Sequence, residues 1–124
     1  MKAMKAFTLL LMLLLFTVCT PSQSKENTRQ IDFKNFTYRL SCGSADKETA
    51  VTVTNGEYSG LKGSIRDRVN LKITDVMFGD ITGDSKDEAV VLYSCGSGAS
   101  YVYIGGLIFT INKNKPALLA QITC

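Results

Sequence analysis

The regular alternation of short apolar stretches with turn residues constrains the fold more than any other feature of this sequence. From residue 31 onward, alternating or β-branched stretches recur at the spacing of about 8–12 residues that is typical of all-β domains. No segment of useful length repeats its apolar residues with the 3.6-residue period of an amphipathic helix. We therefore expect an all-β fold, built as a small antiparallel meander, sandwich or barrel. The predicted strands lie at residues 36–40, 49–54, 57–59, 69–74, 88–93, 101–111 and 117–123.

Particular residues within this pattern predict local structure. Asn55-Gly56 is a strong signal for a type I′ turn, because both central positions of that turn need a positive φ. The alternation at residues 69–74 predicts a strand with one buried and one wet face, and the continuous apolar run at residues 88–93 predicts a central strand. Gly105-Gly106 predicts a break or a bulge. The last strand is expected to leave an unprotected edge.

The N-terminus has the pattern of an export signal. Lys2 and Lys5 precede an apolar run at residues 6–18, which has the length of a signal-peptide core and is too short to span a bilayer comfortably. The alternatives are a buried core helix or a retained membrane anchor. We expect the chain to be exported, and therefore to be periplasmic, anchored to the cell envelope or secreted.

Two cleavage sites compete. Small residues at positions 22 and 24 favour cleavage after Ser24, whereas residues 16–19 resemble the lipobox of bacterial lipoproteins and make Cys19 a candidate for lipidation. The predicted organisation is a signal peptide at residues 1–24, with cleavage before Cys19 in a lipoprotein. A polar linker follows at residues 25–30, and a single β domain occupies residues 31–124.

Charge and composition exclude several functions. The chain has 14 Lys and Arg residues against 11 Asp and Glu residues, and loss of residues 1–24 lowers the net charge from +3 to +1. No basic patch with interleaved aromatic residues occurs, so we expect no nucleic acid as a partner. The absence of His excludes Ser-His-Asp and Cys-His catalysis and any His-ligated metal within this chain. We therefore predict that it is not an enzyme.

The cysteines predict a disulfide. Cys42 and Cys95 each lie in the tetrapeptide Ser-Cys-Gly-Ser, and each follows a predicted strand. Two neighbouring strands that end at the same level would bring these thiols together, and an oxidising compartment favours the bond. Closing a loop of about fifty residues is worth roughly 4 kcal/mol in the chain-entropy model. The alternative is that both are buried free thiols, and the state of Cys124 stays open.

An acidic stretch between two predicted strands is the strongest candidate site. Oxygen-bearing groups recur at alternate positions, which is how a tight loop wraps a hard cation such as calcium. The predicted ligands are the side chains of Asp80, Thr82, Asp84 and Glu88 and the carbonyl of Lys86. The alternative is a metal-free turn that is held by Asx-type hydrogen bonds.

This stretch resembles the acidic calcium loop of FG-GAP-type repeats, as found in integrin-like β-propellers. Their pattern of Gly-Asp-x-Asn-Gly-Asp-Gly-x-Asp-Asp before an apolar strand aligns without a gap with residues 79–88, and the likeness extends from Phe78 to Leu92. The resemblance implies calcium at the same positions, with Ser85 where the pattern has a left-handed Gly. One copy of the loop does not make a propeller. The overall order is similar to that of small exported bacterial proteins and lipoproteins with one such loop.

The predicted function is a non-catalytic exported binding or structural module with a possible calcium-stabilised acidic loop. Its partner would be an unidentified protein or envelope component, and it would meet the membrane only through a lipid anchor. The alternative is a small secreted inhibitor of an envelope-degrading enzyme such as lysozyme. Residues 98–101 (Gly-Ala-Ser-Tyr) distantly resemble the Ser-Gly-Ala-Arg-Tyr stretch of membrane-bound lysozyme-inhibitor lipoproteins.

Overall fold

A computed structural model describes residues 27–42, 48–61, 68–97 and 101–123. Over these ranges the chain forms one short 3-10 helix (Thr28–Gln30) and seven strands. The strands are β1 (Thr37–Leu40), β2 (Thr49–Thr52), β3 (Glu57–Leu61), β4 (Arg68–Gly79), β5 (Glu88–Ser97), β6 (Tyr101–Asn112) and β7 (Lys115–Thr123). None of the helical structure in these ranges is long and apolar enough to cross a membrane.

The strands form two antiparallel sheets, which confirms the all-β prediction. Strands β3 to β7 make an open five-stranded meander in which each strand pairs with the next along the chain. Strands β1 and β2 make a separate two-stranded sheet that packs against one face of the meander. The architecture is therefore a meander covered on one side by a second, smaller sheet, and β3 and β7 are the edges of the larger sheet.

The apolar patterns place the strands as predicted. In β4, Leu71 and Ile73 are buried, whereas Asn70 and Lys72 are exposed, so the alternation gives one buried and one wet face. The run at residues 88–93 lies in β5, the middle strand of the five. Ala89, Val91 and Tyr93 of this run are buried, whereas Val90 and Leu92 on the opposite face are half-buried.

The core lies between the two sheets and is rich in aromatic rings. Phe36 stands 4.9 Å from Tyr38 and 5.6 Å from Phe109, measured between ring centroids in edge-to-face orientation. Phe33 lies 5.3 Å from Phe109 in the same cluster. The buried hydroxyl of Tyr38 donates a hydrogen bond to the carbonyl of Phe33, and burial raises the pKa of Tyr38. The buried apolar residues are Phe33, Tyr38, Leu40, Val51, Val53, Leu71, Ile73, Ala89, Val91, Tyr93, Cys95, Leu107 and Phe109.

The Asn55-Gly56 turn is confirmed, but its two flanking strands lie in different sheets. Asn55 has φ 53° and Gly56 has φ 81°, as a type I′ turn requires. Only one isolated bridge joins the two flanking segments, between Thr54 and Glu57. The turn is therefore the crossover between the sheets. Its position is fixed because the Gly56 amide donates to the Lys34 carbonyl and the Gly56 carbonyl accepts from the Ile73 amide, both at 2.7 Å.

The predicted break at Gly105-Gly106 is wrong, because β6 runs through both residues without interruption. Gly105 is needed for close packing instead. A Cβ atom at Gly105 would lie 2.6 Å from the hydroxyl oxygen of Tyr93, whose buried ring occupies the space that a side chain would fill. An irregularity of β6 occurs further along the strand, where its register with β7 shifts between Ile108 and Phe109.

The disulfide between Cys42 and Cys95 is confirmed, with a Cα–Cα distance of 5.6 Å. The expected geometry was different, since the two residues do not end neighbouring strands. Cys42 follows β1 of the small sheet, and Cys95 lies on the buried face of β5 in the large sheet. The bond therefore joins the two sheets across the core.

The N-terminal segment differs in part from the predicted linker at residues 25–30. Asn27 caps the 3-10 helix, since its side chain accepts from the Arg29 amide, and Thr28 within the helix is almost completely buried. Residues 27–30 consequently pack against the domain. The predicted signal peptide, Cys19, residues 25–26 and Cys124 lie outside the described residues.

Candidate functional site

The acidic loop connects β4 to β5 at one end of the large sheet, and Asp80 organises its first half. One carboxylate oxygen of Asp80, Oδ1, accepts from the amides of Gly83 at 2.6 Å and Asp84 at 3.2 Å. The other, Oδ2, accepts from the amide of Ser85 at 2.8 Å. Three successive backbone donors therefore converge on one side chain, which is the Asx-type arrangement of a metal-free turn.

Glu88 holds the same loop from its other end. Its side chain is completely buried, and its Oε2 accepts from the amides of Ile81 at 2.9 Å and Thr82 at 3.0 Å. Its Oε1 faces the hydroxyl of Thr110 on β6 at 3.4 Å. A buried carboxylate is costly unless it is paired or hydrogen-bonded, and here the loop's own amides supply the donors.

The N-terminal 3-10 helix clamps the end of the loop. The hydroxyl of Thr28 donates to the Asp87 carbonyl at 2.7 Å, and Arg29 Nε forms an ion pair with Asp87 Oδ2 at 2.6 Å. The Arg29 guanidinium also lies over the Phe78 ring, 5.2 Å from its centroid. No local sequence pattern reveals these contacts, since they join residues that are almost sixty positions apart.

Two left-handed residues curl the loop. Gly83 has φ 79° and Ser85 has φ 65°. The Ser85 position is the one at which the FG-GAP-type pattern has Gly, so the left-handed conformation expected there is present. A non-glycine residue in this conformation costs about 1 kcal/mol, and the hydrogen bond from its amide to Asp80 offsets that cost.

The predicted calcium ligands take part in hydrogen bonds within the loop. The carboxylates of Asp80 and Glu88 accept five backbone amide hydrogen bonds between them, and Oδ1 of Asp84 accepts from the Lys86 amide at 2.9 Å. Among the described residues, no three His, Cys, Asp or Glu side chains are grouped so that they could hold a metal ion. Thr82 contributes its amide to Glu88. What these residues do in the structure is to cap the loop.

A second candidate site is the face of β4 to β7 that points away from the small sheet, which we call the outer face. In β6, Leu107 and Phe109 point into the core, so the alternate residues Ile104 and Ile108 point outward. Register places Met77, Val90, Ile108 and Ala120 in one row across four strands. The next row contains Asp75, Leu92, Gly106 and Ile122, so the exposed Asp75 borders the apolar side chains on β4. The apolar side chains of the outer face are Met77, Val90, Leu92, Val102, Ile104, Ile108, Ala120 and Ile122.

The outer face is unusually exposed for apolar side chains. Val102 is 72% exposed, Ile104 60%, Ile122 52% and Met77 46%. Soluble monomers rarely expose contiguous apolar patches beyond a few hundred Å² unless the patch binds something. A patch of such residues in adjacent rows of one sheet is therefore a candidate binding surface.

Charged side chains lie at the borders of the outer face, and Asp75 on β4 is one of them. Residues 89–112 contain no charged side chain, and beyond them only Lys113 and Lys115 at the β6–β7 turn are charged. The same face of β3 and early β4 is polar, with an ion pair between Lys72 and Glu57 at 3.1 Å. An apolar patch bordered by polar residues is the usual anatomy of a protein interface.

The sequence contained a signal for the outer face that the strand predictions did not use. A half-buried strand alternates polar and apolar residues, whereas residues 101–111 are apolar in both phases of the alternation. Strand β6 has Leu107 on its buried face and Ile104 on its exposed face, so its second apolar face is not explained by the core of this chain. Comparison with protein families, with characterised proteins and with solved structures finds no match to this chain.

Proposed function

We propose that the protein is an exported, non-catalytic binding or structural module that engages its partner through the outer face. The observation that carries this proposal is the exposure of apolar side chains in adjacent rows of β4 to β7, where residues 89–112 contain no charged side chain. Burying such side chains is worth about 25 cal/mol per Å² of apolar surface, which gives an apolar partner a driving force at this face.

Export is part of the same proposal. A disulfide such as Cys42–Cys95 is typical of proteins outside the reducing cytosol. The apolar run at residues 6–18 with its preceding Lys residues supplies the signal, and Cys19 is the candidate for lipidation. A mass spectrum of the exported protein tests this part directly, since it reads the cleavage site, the lipid and the disulfide from one measurement.

For the acidic loop we infer a structural role in which hydrogen bonds, and not calcium, supply the closure. The support is that Asp80 accepts three backbone hydrogen bonds from the loop and Glu88 accepts two. Calcium binding stays a prediction from the FG-GAP resemblance, and thermal unfolding with millimolar calcium or with a chelator tests it. A rise in Tm with calcium that is lost in Asp80→Asn would support a cation site, and an unchanged Tm would support closure by hydrogen bonds alone.

Site-specific photo-crosslinking tests the binding role of the outer face. A photoreactive phenylalanine analogue at Val102 is compared with the same analogue at Ala50, an exposed residue of β2 in the small sheet. In cells that export the protein, we expect a discrete adduct from position 102 and none from position 50. If position 102 gives no adduct, or if both positions give the same diffuse products, the outer face is not a binding surface.

The alternative function, inhibition of an envelope-degrading enzyme, also stays a prediction. Of the stretch on which it rests, residues 98–100 lie outside the described residues. Lysis of bacterial cells by lysozyme in the presence of an excess of the protein tests it, and undiminished lysis would dismiss it.

A further inference from the structure

We propose that Asn55 is a latent modification site, at which deamidation is suppressed while the crossover between the two sheets is closed and proceeds when the crossover opens. Asn55 is the one asparagine in the sequence that is followed by glycine. Because glycine has no side chain to shield its amide nitrogen, this nitrogen reaches the preceding side chain with the least hindrance. The inference is independent of the partner that the outer face binds.

The reaction is spontaneous and needs only water. The Gly56 nitrogen loses its proton to water and attacks Cγ, the side-chain carbonyl carbon of Asn55. A bond forms between this nitrogen and Cγ, the bond from Cγ to the side-chain nitrogen breaks, and ammonia leaves after taking up a proton from water. Water then opens the cyclic imide at either carbonyl, which gives aspartate or an isoaspartyl residue with one more carbon in the main chain. Asn55 is exposed, so water reaches its side chain.

The structure holds the nucleophile of this reaction in a hydrogen bond. The Gly56 amide donates to the Lys34 carbonyl at 2.7 Å, and Gly56 itself is buried. Ring closure needs the peptide group between Asn55 and Gly56 to rotate, and this rotation breaks the bond to Lys34. The Gly56 carbonyl accepts from the Ile73 amide at 2.7 Å, so both backbone groups of the glycine are fixed.

The acceptors come from a short segment before β1, residues 32–35, which we call the turn clamp. Asn35 Oδ1 accepts from the Asn55 amide at 3.0 Å, so a second backbone donor of the turn is held. Asp32 fixes the turn clamp itself, since its Oδ1 accepts from the Lys34 amide at 3.0 Å and its Oδ2 accepts from Asn35 Nδ2 at 2.7 Å. Ring closure therefore requires the turn to separate from the turn clamp, which is a local opening of the protein.

Deamidation would record such an opening permanently. Thr54 and Glu57 close the turn with two backbone hydrogen bonds, at 3.0 and 3.1 Å. An isoaspartyl residue lengthens the main chain inside this two-residue turn, so we do not expect both bonds to re-form. A chain that deamidates during an opening therefore does not return to the same closed crossover.

Incubation of the purified, disulfide-bonded protein at mildly alkaline pH, followed by peptide mapping with mass spectrometry, tests the inference. We expect Asn55 to deamidate at least about 30-fold more slowly in the folded protein than in the protein unfolded in urea, because two hydrogen bonds must open together. Asn35→Ala removes one of these bonds and should raise the folded rate about 5-fold or more. Asn70→Ala is the matched control, since Asn70 is exposed on β4 and bonds to Ser59; it should leave the rate unchanged.

Each outcome decides the inference. Equal rates in the folded and the unfolded protein would overturn it, and so would equal rates in Asn35→Ala and Asn70→Ala. Hydrogen exchange of the Gly56 amide in the wild-type protein is a second measurement, since exchange requires the same opening. The folded state should slow exchange and deamidation by the same factor, within about threefold. A wider discrepancy would overturn the shared opening, and this check stands even if Asn35→Ala fails to fold.

Discussion

Replacing Glu88 tests how the acidic loop is held together. The carboxylate is fully buried and accepts from the amides of Ile81 and Thr82 at 2.9 and 3.0 Å. Hydrogen bonds to a charged group contribute about 1.5–3 kcal/mol each, so two of them are worth about 3–6 kcal/mol. Because Ile81 and Thr82 are themselves exposed, water can bind their amides when the acceptor is removed, and this recovers part of the lost hydrogen-bond energy. We therefore expect Glu88→Ala to lower the free energy of unfolding by about 3 kcal/mol.

Glu88→Gln separates the hydrogen bonds from the charge. A carboxamide keeps one acceptor oxygen for the two amides and turns its NH₂ group toward the Thr110 hydroxyl, which can accept. Only the charge assistance is lost, so the expected cost is about 1–2 kcal/mol. Asp84→Asn is the matched control, since Asp84 is exposed and its carboxylate accepts one local hydrogen bond from Lys86; its expected cost is below about 0.5 kcal/mol.

Urea unfolding, followed by circular dichroism, measures all three variants. The reasoning is refuted if Glu88→Ala costs less than about 1 kcal/mol, or if Gln and Ala at position 88 are equally damaging, since both results contradict a role as hydrogen-bond acceptor. Repeating the series with calcium adds a second check. Closure by hydrogen bonds predicts the same differences between variants with and without calcium, whereas a cation bound by Glu88 would make the wild type gain stability that the Gln variant does not.

Four further outcomes are expected. Ser85→Gly should raise the free energy of unfolding by about 1 kcal/mol, because glycine adopts the left-handed conformation at φ 65° without strain. A lower free energy of unfolding, measured in urea, would contradict this. Gly105→Ala should cost about 1–3 kcal/mol, since its Cβ would lie 2.6 Å from a buried tyrosine hydroxyl, and an unchanged Tm would show that the ring yields. Cys42→Ser should cost about 4 kcal/mol by opening the Cys42–Cys95 bond, whose partners are 53 positions apart, and a wild-type urea midpoint would refute the estimate. Hydrogen bonds from the Asn35 side chain and the Lys34 amide lower the pKa of Asp32 in the folded protein. The stability that these bonds contribute is present above the unfolded pKa of about 4, and it is lost as the pH falls through the lowered folded pKa. Asp32→Asn should flatten this acid limb, measured as Tm against pH.

The parts of the fold that depend on local rules could be predicted from the sequence. The Asn55-Gly56 turn could be predicted because its conformation is set by two residues, and β5 because a continuous apolar run indicates a strand in the interior of a sheet. The turn does not determine which sheet each of its strands joins. That choice depends on the long-range contacts of Gly56 with Lys34 and Ile73, which no local pattern encodes.

The predicted disulfide pairing is correct, but the strand arrangement expected to produce it is wrong. The repeated Ser-Cys-Gly-Ser tetrapeptide correctly paired Cys42 with Cys95, but the bond crosses between sheets and does not link neighbouring strands. The glycine pair in β6 shows the opposite case. A glycine within a strand pattern predicts a break, whereas Gly105 lies inside a continuous strand, and its lack of a side chain leaves space for the Tyr93 ring of the adjacent strand.

The acidic loop shows how the residues of a calcium-loop pattern can also close a loop through hydrogen bonds. A tight turn with oxygen-bearing side chains at alternate positions must direct either oxygens or amide hydrogens toward its centre. The left-handed residues Gly83 and Ser85 turn successive amides to one side, which makes a concavity that attracts negative charge. Asp80 occupies this concavity, and Glu88 accepts from two further amides of the loop. An additional cation would meet the positive ends of these amide dipoles, so the same acidic residues that suggest a metal site act as the anions that the backbone requires.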